Sequence, residues 1–302
     1  HAADTLTVLT AAKGAAVGHV AHGTLDVSSP TSAVAETLGG RRLVFVAGLG
    51  GNVAELALTA SGATVATQRL RVLHPIGCAR RATAVLALAA SGAVVEVCST
   101  GVVTEWHASM GTVARSIPAT TTRLTDATGL AVLGSTAYVT NTARGSAPDG
   151  VTSLSLSTGH RVRTVTNATS PAYAFAGPNG IASDGTDLWE INATGNTVDE
   201  LTPGLGFVAS SSTNLTNPGA VLATKGMVWV SSWSQSSMVT QFTVVNHALS
   251  SPWMMCNSNG PYKFSNPAGF ALSGSSLWVA NEGDNLVDQM NASSGALVAT
   301  YT

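Results

Sequence analysis

The sequence predicts an all-β protein of the β-propeller class, with six full four-stranded blades and an N-terminal half-blade, closing as a six- or seven-bladed ring. Two observations carry this expectation. Short β-runs built around one marker position recur at the spacing of propeller blades. Turn residues interrupt the chain about every eight to twelve residues, without helical periodicity, as many short antiparallel strands require.

The marker runs are Leu43-Val44-Phe45-Val46, Thr136-Ala137-Tyr138-Val139, Asp187-Leu188-Trp189-Glu190, Met227-Val228-Trp229-Val230 and Ser276-Leu277-Trp278-Val279. A sixth copy, Val94-Val95-Glu96-Val97, fits with Glu96 in the aromatic slot. The steps between these markers are 51, 42, 51, 40 and 49 residues, close to the roughly 40–50 residues of a propeller blade.

Within each copy four β-runs alternate with turns. The last copy reads Gly269–Leu272, Leu277–Ala280, Leu286–Met290 and Ala296–Tyr301, with Ser-Gly or Gly-Asp-Asn turns between them. Pro178, Pro218 and Pro267 open three copies, where a missing N–H costs no ladder hydrogen bond. Three residues after each marker stand Gly48, Ser99, Asn141, Asn192, Ser232 and Asn281, read as turn caps through the side-chain bonding habits of Asn and Ser. The expected division is residues 1–30 as the half-blade and residues 31–302 as the propeller. Thr5–Leu9 and Ala15–Val20 match the third and fourth strands of a blade, with no first and second strands before them. Residues upstream were removed, or the pair pads a six-bladed ring, or a neighbouring molecule completes the half-blade by strand addition. The last alternative makes Thr5, Thr7, Leu9, Val17 and His19 the assembly residues.

Composition narrows the function classes. Apolar residues make up 45% and charged residues 10%, far below the roughly 25% charged of an average soluble protein. Yet no run approaches the roughly 18 apolar residues of a spanning helix, so a membrane-spanning chain is not expected. A net charge of −2 with scattered Lys and Arg offers no basic stripe for nucleic acid. Hydroxyl groups replace charges as the polar surface, which suits an extracellular and acidic setting. The sequence begins His1-Ala2-Ala3, as a mature end left by signal-peptide cleavage does. Of three cysteines, Cys78 and Cys98 share a repeat and are the expected disulfide. Cys256 is then a buried thiol or an intermolecular link.

The words Ala137-Tyr138-Val139-Thr140-Asn141, Leu277-Trp278-Val279-Ala280-Asn281 and Pro178-Asn179-Gly180-Ile181-Ala182 resemble the YVTN and NHL-type β-propeller repeats. The resemblance covers residues 31–302, and similar words occur in virginiamycin B lyase-like propellers. It implies the fold strongly and any one activity weakly, because such repeats serve enzymes, adhesins and surface proteins alike. A lyase-like enzyme would need a catalytic His and acidic metal ligands on the loops after the second strands. Those positions hold Asn141, Asn192 and Asn281, followed by Glu282 and Asp284, with no His among them.

No other constellation points to catalysis, a cofactor or a metal. His19 and His22 diverge if they share a strand, and His74, His107, His160 and His247 fall in different blades without ligand-like spacing. Asn167, Asn192, Asn214 and Asn291 open glycosylation sequons. Trp233, Glu282 and Asp284 are the candidate partner contacts. The expected function is therefore a secreted, non-enzymatic structural or interaction propeller, partnered by its own copies or another extracellular protein. A funnel-site enzyme and a carbohydrate or small-ligand binder are the alternatives.

Overall fold

The computed structural model describes residues 6–9, 16–20, 28–38, 40–49, 52–61, 64–74, 78, 84–89, 91–107, 111–142, 148–233, 237–258 and 260–301. The expected fold class holds, as a six-bladed β-propeller of six four-stranded antiparallel sheets. By internal contacts the chain divides into two units. Residues 1–139 with 152–162 form one, and residues 140–151 with 163–302 form the other.

Among the described residues the hairpin β1 (Leu6–Leu9) and β2 (Ala16–Val20) is a sheet of two strands. Blade 1 is β3 (Ser28–Leu38), β4 (Arg41–Leu49), β5 (Val53–Ser61) and β6 (Thr64–Leu73). Blade 2 is β7 (Ala84–Leu88), β8 (Ala93–Cys98), β9 (Val103–His107) and β10 (Thr112–Ile117), and a single helical turn α1 (Ala119–Thr122) follows. Blade 3 comprises β11 (Ala127–Leu133), β12 (Thr136–Asn141), β13 (Gly150–Ser155) and β14 (Arg161–Thr166). Blade 4 comprises β15 (Pro178–Ser183), β16 (Leu188–Asn192), β17 (Thr197–Leu201) and β18 (Phe207–Ser211). Blade 5 has β19 (Pro218–Thr224), β20 (Met227–Ser232), β21 (Met238–Val245) and β22 (Ala248–Cys256). Blade 6 has β23 (Pro267–Ser273), β24 (Ser276–Asn281), β25 (Leu286–Asn291) and β26 (Leu297–Tyr301).

Alternation along the second strands builds the core, since successive side chains face opposite sides of a sheet. Phe45 packs towards Val94 and Trp106, Trp189 towards Val228 and Val230, and Trp229 towards Leu277 and Val279. These three markers thus point at the following blade. In blade 2 the residue that does so is Val95, which packs against Val139, whereas Glu96 points the other way. This corrects the sequence alignment by one residue. Val95 fills the aromatic slot, and Cys98 rather than Ser99 is the third residue after it. The corrected marker spacing alternates long and short along the chain.

The opening prolines sit where expected. Pro178, Pro218 and Pro267 are the first residues of their strands, and each is followed at once by an irregularity in the pairing register. The bulge absorbs the missing donor. The turn caps are also regular. Asn192 Oδ1 accepts the Ala176 N–H, Ser232 Oγ accepts the Thr216 N–H, and Asn281 Oδ1 accepts the Ser265 N–H. Each donor lies two residues before a strand-opening proline, so the end of every such second strand fixes the entry to its own first strand.

Before blades 4 and 6 the entry carries a stacked aromatic pair. Tyr173 lies on Phe175 with ring centroids 5.4 Å apart, and Tyr262 lies on Phe264 at 5.2 Å. Each tyrosine hydroxyl donates to a carbonyl of the last hairpin of its own blade, Leu205 and Gly295 respectively. Asn167 and Asn257 clamp the backbone of the two phenylalanines from both sides. No such pair precedes blade 5.

Candidate functional site

The chain places its buried chemistry at two repeated positions. The first lies on the third strand directly across from the marker. Phe45 faces Glu55, Val95 faces Glu105, Trp189 faces Glu200, Trp229 faces Gln241 and Trp278 faces Gln289. Each is preceded by a valine two residues earlier, and that Val-x-Glu/Gln word was the unused sequence signal. Glu55 is enclosed and pairs with Arg71 at 2.6 Å. Gln289 accepts from the Tyr301 hydroxyl at 2.9 Å and donates to Ser276.

The second position lies one residue along the second strand, facing the preceding blade. It holds Glu96 in blade 2 and Glu190 in blade 4, both without solvent exposure. Trp106 donates to Glu96 at 3.2 Å, and burial raises this carboxyl to about 8 against that single stabilising bond. Glu190 is raised well above the usual carboxylate range, by burial first and by the Asp199 charge second. The Asn192 amide reaches Glu190, Thr197 and Asp199 at 2.8, 3.1 and 3.0 Å, and Ser210 donates to Asp199 at 2.5 Å. Blade 6 repeats the outer part of this network with Asn281, Asp288 and Thr300. These carboxyls are enclosed, and their hydrogen bonds tie neighbouring strands together.

A third group is reachable from solvent. Asn246 and His247 both adopt left-handed φ, 50° and 63°, and form the two-residue turn joining β21 to β22. The turn carries His247 from blade 5 onto blade 4, where Nδ1 lies 2.6 Å from Glu200 Oε1 and 3.9 Å from Asp187 Oδ2. The His247 side chain is 58% exposed while that of Glu200 is 1% exposed. Burial raises the Glu200 carboxyl and the neighbouring His247 counteracts it. The Glu200 hydrogen bond in turn raises His247, with Asp187 and Asp184 adding to it. The other Glu200 oxygen, Oε2, is buried without a hydrogen-bond partner. Asp187, Glu200 and His247 each bring one ligand-type atom within 4.8 Å of the others. Forty-seven residues separate Glu200 from His247, so sequence spacing could not pair them.

The sequence-predicted residues fall as follows. Thr5 lies outside the described residues, as do His1 and His22. Thr7 and Leu9 lie on β1, Val17 and His19 on β2, with Thr7 paired to His19. The hairpin runs beside β6 as a separate sheet. Cys78 is bonded to Cys98 with their Cα atoms 5.9 Å apart, and Cys256 is a buried thiol. Trp233 is half-buried: its indole N–H donates to the Pro267 carbonyl at 2.9 Å and its ring covers Gly219. The exposed tryptophan is instead Trp253 on β22. Glu282 and Asp284 are exposed at the turn before β25, where Asp284 caps the Leu286 N–H. Among the sequons, Asn192 is corrected: it is fully buried with both amide atoms bonded, which excludes a glycan. Asn167 and Asn214 are exposed, and Asn291 is half-buried with its carbonyl capping Ser293 and Ser294. No helix among the described residues is long and apolar enough to cross a membrane.

No protein-family model matches the chain, and no curated protein matches it. Solved structures do. A functionally unknown protein from Desulfotomaculum acetoxidans superposes with a TM-score of 0.72 at 13% identity, over 99% of this chain and 92% of that one. The C-terminal WD40 domain of Sif2 superposes with a TM-score of 0.62 at 8% identity, over 91% and 72%. A chain of the nidogen/laminin complex gives 0.59 at 15% identity, over 86% and 92%. These likenesses establish the propeller fold.

Proposed function

We propose that this chain is a non-catalytic, extracellular interaction propeller that associates with its own copies through the β1–β2 hairpin. The observation that carries the reading is the two-stranded sheet itself. Among the described residues every other sheet has four strands, while β1 and β2 pair with each other and with no third strand. Such a hairpin offers open backbone donors and acceptors, a template for strand addition by another molecule. A two-stranded sheet is marginal alone, so added strands would stabilise it. The Cys78–Cys98 bond supports an oxidising compartment. The enclosure of Glu96 and Glu190 supports a structural rather than catalytic use of the most displaced carboxyls. Val162, Trp253 and Val298 are exposed on fourth strands, where an apolar contact would meet a partner at a blade edge. The YVTN/NHL-type repeat remains the family reading that the short words suggest.

Light scattering after size exclusion, with electron microscopy of the same sample, tests the proposal. Defined oligomers or filaments that dissociate when residues 1–22 are deleted would support it. A monomer indifferent to that deletion, or an oligomer that survives it, would overturn assembly through the hairpin.

A further inference from the structure

We propose that Asp187, Glu200 and His247 form a binding site for a divalent transition ion, zinc above all. Three side chains from two blades converge there: Asp187 just before β16, Glu200 on β17 and His247 at the β21–β22 turn. A carboxylate pair with one imidazole is a hard-to-borderline donor set that suits zinc and its neighbours better than calcium or magnesium, which take oxygen ligands alone. Tetrahedral coordination at zinc-ligand distances near 2.0–2.1 Å puts ligand atoms about 3.3 Å apart. The His247–Glu200 and His247–Asp187 separations of 2.6 and 3.9 Å bracket that value, so small side-chain rotations admit an ion.

A second and independent feature points the same way. Glu200 is enclosed, and Oε2 of the carboxyl that meets His247 has no hydrogen-bond partner. A buried, unsatisfied carboxylate oxygen is costly to leave bare, and an ion that Glu200 holds through both oxygens would satisfy it. The charge balance agrees. Asp184 and Asp187 both lie close enough to act on Glu200 and on His247. His247 faces solvent, which leaves one coordination position for water or for a side chain brought by a partner. A bound ion would pin the outer hairpin of blade 5 to blade 4 of the same unit.

The competing reading is a plain ion pair between imidazolium and carboxylate, and it makes opposite predictions. Calorimetric titration of the full chain with zinc chloride at pH 7.5 should show one ion per chain, with a matching rise in melting temperature. Cobalt(II) at the same site should give visible ligand-field bands. His247→Gly keeps the turn, because Asn-Gly is the favoured pair for two successive left-handed residues. That variant and Glu200→Gln should each weaken zinc by at least about tenfold, the scale on which even outer-shell losses act. An absence of zinc binding would overturn the proposal. So would zinc binding that is unaltered in the folded His247→Gly variant, which would assign the ion to other histidines.

Discussion

The indole N–H of Trp106 donates to Glu96 Oε2 over 3.2 Å, and it is the principal polar support of a carboxyl with no solvent exposure. Glu96 therefore holds its proton up to about pH 8, whereas an unfolded glutamate releases it near 4.5. Between those values the folded state binds more protons than the unfolded state, so stability falls as pH rises through the window. The stabilisation is fully present below pH 4.5. It amounts to at most about 5 kcal/mol from this group, at 1.36 kcal/mol per unit. Glu190 and Asp199 act in the same direction. Chemical denaturation at pH 4.5 and pH 8 should show greater stability in acid, and Glu96→Gln should flatten much of the difference. Equal stability of the wild type at both values would refute the assignment.

Asn192 and Asn281 occupy the same place in blades 4 and 6, and their loss should not cost the same. Asn192→Ala strands the Ala176 N–H, Glu190 and Asp199 together, whereas Asn281→Ala strands chiefly Asp288 and a longer bond to Ser265. Each buried orphan costs about 1–3 kcal/mol. We expect a loss of roughly 3 kcal/mol or more for Asn192→Ala and about half that for Asn281→Ala, measured by urea denaturation.

The Cys78–Cys98 bond closes a loop with a sequence separation of 20 residues. Removing it should destabilise the chain by about 3 kcal/mol on the chain-entropy scale. Melting of a Cys78→Ser/Cys98→Ser double variant reads this directly. An unchanged midpoint would mean that the loop is held by packing alone.

Gly219 lies under the Trp233 ring so closely that a Cβ there would stand 2.0 Å from the indole nitrogen. Gly219→Ala should expel the ring, break its bond to the Pro267 carbonyl and shift Trp fluorescence to the red. Trp233→Ala should then make Gly219→Ala nearly silent, a strongly non-additive pair. Additive losses would place the strain elsewhere.

The fold was legible because a propeller repeats itself, and six imperfect copies of one strand pattern average away their individual noise. The one slip, at Glu96, has a physical origin. In Val94-Val95-Glu96-Val97 every neighbour is a valine, so no aromatic marks the face. Only the pairing of Val95 with Glu105 fixes the register. The packing of Trp233 over Gly219 was not legible, because a loop tryptophan gives no sign of the glycine it will cover. The site at His247 could not be read at all. It depends on a hairpin tip of one blade reaching the third strand of its neighbour, and spacing along the chain carries no trace of that contact. The Val-x-Glu/Gln words, by contrast, stood in plain view at Glu55, Glu105, Glu200, Gln241 and Gln289.

The stacked Tyr-x-Phe entries before blades 4 and 6 tie each incoming segment to the outermost hairpin of the blade it is about to build, through Tyr173 on Leu205 and Tyr262 on Gly295. The entry and the last hairpin of those two blades are thereby coupled without passing through the strands between them. Fraying of the outer hairpin there also loosens the way in, a penalty that blade 5, entered without such a pair, does not carry.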